Sequence, residues 1–76
     1  MADRNHKYAE NAGGRYYVDT QCIDCDLCRQ TAPLNFERNE KAGYSFIMKQ
    51  PATREEEALC EQARLECPVE AIGSDG

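Results

Sequence analysis

No tryptophan occurs in this 76-residue chain, and only six residues are aromatic, four Tyr and two Phe. Mean hydropathy is −0.78, and the apolar fraction of 41 % counts five cysteines, so little aliphatic or aromatic surface is left for a core. The longest apolar run outside the cysteine region is Phe46-Ile47-Met48, far short of the roughly 18–20 residues a membrane-spanning helix needs. No hydrophobic segment follows Met1–His6, so no secretory signal is expected and the cytoplasm is the expected compartment. A membrane protein, a multidomain enzyme and a purely hydrophobic miniature fold are excluded. Neither a nucleophile–base pair nor a phosphate-cradling loop is visible, so the chain is not expected to be an enzyme. A basic excess is lacking too: the net charge is −5 and the pI about 4.7. That argues against nucleic acid or an anionic membrane as a partner.

A domain this small seldom stabilises itself by core burial alone and usually carries a disulfide, a metal or a partner. Five cysteines is an odd number, and without an export signal a closed disulfide framework fits poorly. Metal ligation is the better expectation. The charge is also unevenly placed. Residues 1–21 and 22–51 each balance, whereas residues 52–76 hold seven acids against Arg54 and Arg64.

Residues 1–14 are polar, lack period and end in Gly13-Gly14, which reads as a loosely tied N-terminal extension. Residues 15–76 read as one domain. Arg15–Asp19 is a strand candidate, rich in aromatic and β-branched residues. A turn of helix is expected over Cys28–Ala32, stopped by Pro33. Leu34–Phe36 and Tyr44–Met48 form a predicted hairpin around the turn Asn39–Gly43. Thr53 and Glu56 have capping-box spacing, and Glu55–Glu57 suit a helix N-terminus, so a helix is predicted over Arg54–Glu66. Its apolar positions include Ala58, Leu59, Ala63 and Leu65. Pro68 ends it, and Val69–Ile72 reads as a last strand. The class is α+β.

The chemistry lies in Cys22-Ile23-Asp24-Cys25-Asp26-Leu27-Cys28, with a distant Cys67-Pro68. A cysteine at every third residue of a looping chain lets three thiolates reach three corners of a cubane, with a fourth arriving from elsewhere. Iron–sulfur clusters take four thiolates, and in the C-x2-C-x2-C-x3-C-P run of two-cluster proteins the fourth cysteine serves the other cluster. Counting on from Cys28, the fourth position is Ala32, followed by Pro33. Counting back from Cys67-Pro68, the run falls on Glu57, Cys60 and Ala63. One run has kept its triad and lost its fourth cysteine; the second keeps only Cys60 and Cys67. One cluster can be built, on Cys22, Cys25, Cys28 and Cys67. Zinc is the alternative occupant, although it favours two separated Cys-x2-Cys knuckles.

On these motifs and the segment order, residues 15–73 resemble the bacterial single-cluster 4Fe–4S ferredoxins. The resemblance implies a ferredoxin-like βαββαβ fold, with one cubane-binding loop and a degenerate second cluster site. It implies a single-electron carrier that takes electrons from a ferredoxin reductase and passes them to an oxidoreductase. A haem-thiolate monooxygenase and a ketoacid oxidoreductase are both possible consumers. The expected cofactor-contacting positions are Ile23, Asp24, Asp26, Leu27 and Pro68, with N–H···S bonds supplied by the loop around residues 23–29. Relatives often place glycine where Asp24 and Asp26 stand; their charges are expected to oppose reduction and give a low potential. Some relatives bridge positions equivalent to 32 and 60 by a disulfide, which Ala32 rules out here.

Cys60 is then a free thiol, best read as a small buried hydrophobe. His6 is read as solvated, and Tyr16, Tyr17, Phe36, Tyr44 and Phe46 as core. The acidic C-terminal helix is a candidate docking surface for a basic partner, and a monomer is expected. Two other functions fit the motif: an iron–sulfur sensor or small subunit, and a zinc-stapled interaction module.

Overall fold

The computed structural model describes residues 2–24 and 26–76. A 3-10 turn at Arg4–His6 is followed by β1 (Tyr17–Val18), α1 (Leu27–Thr31), β2 (Phe36–Asn39), β3 (Tyr44–Ile47), α2 (Arg54–Glu66) and β4 (Ile72–Gly73). The class is α+β, with two helices and two separate two-stranded antiparallel ladders among the described residues.

The helix α2 has the bounds that its caps dictate. The Thr53 hydroxyl accepts from the Glu56 N–H at 3.1 Å, and Glu55, Glu56 and Glu57 occupy the first turn. The return half of the capping box is replaced by tertiary bonds. The Glu56 carboxylate accepts from Ala52 N at 3.3 Å and Asn35 Nδ2 at 3.1 Å, with Lys49 Nζ at 3.7 Å. At the other end Cys67 is the C-cap, its N–H donating to Ala63 O at 3.1 Å, and Pro68 stops the helix. The shorter α1 begins one residue earlier than its pattern suggests. It ends at Ala32, held out of helical geometry (φ −131°, ψ 67°) by the proline that follows.

In the hairpin, β2 pairs with β3 from Phe36↔Ile47 to Asn39↔Tyr44. Asn39 Oδ1 accepts from Lys41 N and Ala42 N at 3.1 Å each, and Gly43 closes the turn at φ +76°. In the other ladder, Tyr17 opposes Gly73 and Val18 opposes Ile72. Both strands are shorter than expected. The segment expected to be a strand from Val69 spends its first residues in a turn, where Glu70 takes φ +53° and donates its N–H to Cys67 O at 3.2 Å.

The N-terminal segment is firmly attached, which corrects its reading as a loosely tied tail. Asn11 is the connector. Its Oδ1 accepts from Val18 N at 3.1 Å and Ile47 N at 2.8 Å, and its Nδ2 donates to Tyr8 O and Val18 O at 2.8 Å each. One side-chain amide thus joins the two ladders by bonding backbone groups as a strand would. Backbone bonds reinforce it: Tyr8 N to Val18 O at 3.1 Å, and Ala12 N to Ile47 O at 2.8 Å. The Gln50 side chain repeats the device, donating to Ala12 O and Tyr16 O and accepting from Tyr16 N. The Tyr8 and Tyr44 rings stack with centroids 3.4 Å apart.

The core comprises Tyr16, Val18, Phe36, Ile47 and Ile72, packed with Cys28, Ala32, Cys60, Ala63 and Ala71. The buried positions of α2 are Cys60 and Ala63; Ala58, Leu59 and Leu65 are exposed, Leu65 at 71 %. The helix thus presents small residues inward, and with Cys67 they follow an i, i+3, i+7 stripe.

Asn11→Ala leaves the Val18 and Ile47 N–H groups without their acceptor. Unpaired buried donors each cost about 1–3 kcal/mol, so the urea midpoint is expected to fall by the equivalent of at least about 2 kcal/mol. An unchanged midpoint would show that the ladders hold together without this amide.

Candidate metal centre

Three cysteines from three different elements line one cavity: Cys22 after β1, Cys28 in α1 and Cys67 at the C-cap of α2. The cavity is walled by Val18, Val69, Ala71 and Ile72. Of the other positions expected to contact a cofactor, Ile23, Asp26 and Leu27 also line it; Asp24 and Pro68 do not. Cys25 lies outside the described residues.

Two of the sulfurs accept backbone N–H groups. Cys22 Sγ accepts from Asp24 N at 3.4 Å and Ser45 N at 3.5 Å, and Cys67 Sγ accepts from Ala71 N at 3.3 Å. Backbone donors on sulfur ligands are among the levers a protein has on a bound metal centre. The 23–29 loop supplies the bond from Asp24. The donors on β3 and after Pro68 have no local signal in the sequence, because they depend on where β3 passes and on the turn at Glu70. Pro68 acts indirectly, by ending α2 so that the chain can turn Ala71 N back toward Cys67.

The chemistry of this donor set suits an iron–sulfur cluster. No disulfide joins any of the described cysteines, and Cys22, Cys28 and Cys67 face an apolar hollow supplied with N–H donors. The hydroxyl of Ser45, which also lines the cavity, is buried and has no hydrogen-bond partner among the described residues. Among those residues, no three His, Cys, Asp or Glu side chains are grouped to hold a single metal ion. Thiolates that each bind a different iron of a cluster have no need to be.

The two aspartates of the loop adopt left-handed conformations, Asp24 at φ +57° and Asp26 at φ +74°, a region that Asp tolerates better than most residues. Their charges are not left to act on the cavity alone. Arg38 Nε donates to both Asp24 oxygens at 3.0–3.1 Å, and Arg29 Nη1 reaches Asp24 Oδ1 at 2.9 Å. Arg29 Nε also donates to Asp26 Oδ1 at 2.6 Å, and Gln30 Nε2 to Asp26 Oδ2 at 3.1 Å. Hydrogen bonds from Arg38 and then Arg29 hold the Asp24 carboxyl below the ordinary carboxylate range; those from Gln30 and Arg29 do the same for Asp26. Two carboxylates and two guanidiniums sum to no net charge, so the expected opposition to reduction from Asp24 and Asp26 is offset.

Cys60 is fully buried beside Ala63 and Ala32 in the core, away from the cavity. Burial, with help from Glu56 and Glu57, pushes its thiol up to about 11.

Residues 18–74 match the family model described as the 4Fe–4S single cluster domain of ferredoxin I. The structure is similar to the crystal structure of ferredoxin I from Desulfovibrio africanus, with a TM-score of 0.67 and 30 % identity. The match covers 79 % of this chain and 92 % of that one. Among curated proteins, none matches significantly.

Unfolding returns Cys60 from about 11 to its ordinary 9.0. The folded state holds the thiol protonated, so its contribution is complete below pH 9 and is lost as pH rises to about 11. Wild type should therefore lose more stability than Cys60→Ala across that interval. Coincident alkaline limbs for the two proteins would mean that burial does not hold the proton on this thiol.

Proposed function

Because the chain belongs to the bacterial single-cluster 4Fe–4S ferredoxin family, we propose that it carries one electron at a time on one 4Fe–4S cluster held by Cys22, Cys25, Cys28 and Cys67. The observation that carries this reading is the convergence of Cys22, Cys28 and Cys67 on one apolar cavity, with N–H groups on two of the sulfurs. Cys25 enters by its place in the triad. When bound, the cluster supplies reversible one-electron redox chemistry.

The residues' part is to hold and to insulate. Cys22 and Cys67 offer sulfurs already oriented by backbone donors, and Val18, Val69, Ala71 and Ile72 keep water from one side. Water exclusion and N–H···S bonding are the protein's levers on such a centre. Membership of the ferredoxin family supports a carrier rather than an enzyme.

The finer reading is a ferredoxin-like βαββαβ domain over residues 15–76, with residues 1–14 as an extension packed on it. The second cluster site is degenerate: Ala32, Cys60 and Ala63 fill the core where its ligands would stand, and Glu57 is exposed. Free thiols among the described residues support a reducing compartment such as the cytoplasm. No helix is long and apolar enough to cross a membrane among those residues.

A reductase and an electron-accepting oxidoreductase, such as a monooxygenase, are the proposed partners. The acidic helix offers them Glu55 and Glu57, which are exposed. Glu56 is bonded to Asn35 and Ala52, Glu61 to Arg64 and Tyr16, and Glu66 to Thr31.

Low-temperature EPR on protein purified without air tests the carrier. A silent oxidised sample should gain a spin-half signal with dithionite. A signal before reduction would indicate a three-iron centre, and a colourless, silent protein would favour zinc and overturn the reading. Cluster loss in place of reversible turnover would favour a sensor. For docking, raising salt should slow reduction by the partner steeply in wild type and less so in Glu55→Gln with Glu57→Gln. A rate indifferent to salt would put docking elsewhere.

A further inference from the structure

Ser45 lies in the middle of β3, 1 % exposed, with its backbone N–H donating to Cys22 Sγ at 3.5 Å. Its hydroxyl is buried without a partner among the described residues, and the residue lines the cavity that Cys22, Cys28 and Cys67 share. A hydroxyl kept from water and left unbonded costs folding free energy, and buried polar groups in native proteins nearly always have partners. The rest of the lining is apolar except for Asp26, whose carboxylate oxygens already accept from Arg29 and Gln30, and the cysteine sulfurs. Sulfur is the acceptor the cavity leaves for this hydroxyl.

We propose that the Ser45 hydroxyl is a hydrogen-bond donor to the sulfur of the bound cluster or its Cys22 ligand, and that this bond raises the reduction potential. The inference rests on the cluster reading above. Reduction adds one electron, and so one negative charge, within the cavity. A donor pointed at that charge stabilises the reduced state more than the oxidised one. Ser45 is thus a ligand-side positioning residue twice over, through its N–H and through its O–H. A water in place of the sulfur as the hydroxyl's partner is the competing account.

Protein-film voltammetry of the cluster-loaded protein is the test. In Ser45→Ala the reduction equilibrium constant is expected to fall about tenfold, which is about 59 mV for a one-electron couple. Ser45→Thr and Ser45→Val have nearly the same shape, and both suit a strand. Their comparison reads the hydroxyl alone, and replaces the alanine variant if that one does not load. The Thr protein should keep the wild-type potential and the Val protein should fall with Ala.

Equal potentials in loaded Thr and Val proteins would overturn the proposal, whether the hydroxyl bonds water or nothing. A brown wild type with the expected spin-half signal would leave the carrier reading standing in that event. A colourless wild type would overturn both together.

Discussion

Sulfurs turned into an apolar hollow need hydrogen-bond donors, and much of the fold around the cavity serves to bring backbone N–H groups to them. Cys67 meets this need because Pro68 ends α2 and Glu70 adopts a left-handed turn, bringing Ala71 N onto the sulfur. Cys22 meets it from two directions: Asp24 curls back over it, and β3 runs past so that Ser45 N points at it. The left-handed Asp24 is held in turn by Arg29 and Arg38. The guanidiniums therefore fix a conformation that glycine would adopt freely, and cancel the charge that aspartate introduces.

Burial is the weaker partner in this structure. The buried side chains of its helices are Cys28, Cys60 and Ala63, with Ala32 at the α1 C-cap, while Leu34 and Leu65 stand largely in solvent. Small side chains allow the helices to approach closely but each contributes little apolar area. Two ladders, one with strands of only two residues, cannot supply the difference. A metal cluster crosslinking the β1 end, α1 and the C-terminus of α2 would tie together elements the core holds loosely, as structural metals do in other small domains.

Where structure followed from neighbours in sequence, it was legible. The Thr53 cap and Pro68 give α2 its bounds, and alternating residues around Asn39–Gly43 give the hairpin. The cysteine spacing and Cys67-Pro68 point to the centre. Asn11 and Gln50 were illegible because polar side chains there do the work of backbone, bonding groups up to 38 residues away. A polar, aperiodic stretch with such residues looks like a tail. The pairing of Asp24 with Arg38 spans 14 residues and escaped for the same reason. On α2, Cys60 and Ala63 are buried as their sequence reading has it, whereas Ala58, Leu59 and Leu65 face solvent despite their apolar side chains.

The Asn11 amide also sets an order in time. Its two acceptor bonds reach Val18, 7 residues on, and Ile47, 36 residues on. The Asn11 segment precedes both partners in the chain and therefore has no complete binding place until β3 has emerged and paired with β2. Closing that long loop carries the larger entropic cost, and contacts of such separation slow folding relative to local ones. The α2 helix and the β2–β3 hairpin, built from near neighbours, are free to form earlier. Residues 8–12 are thus the latch of the fold, added last and across both ladders at once.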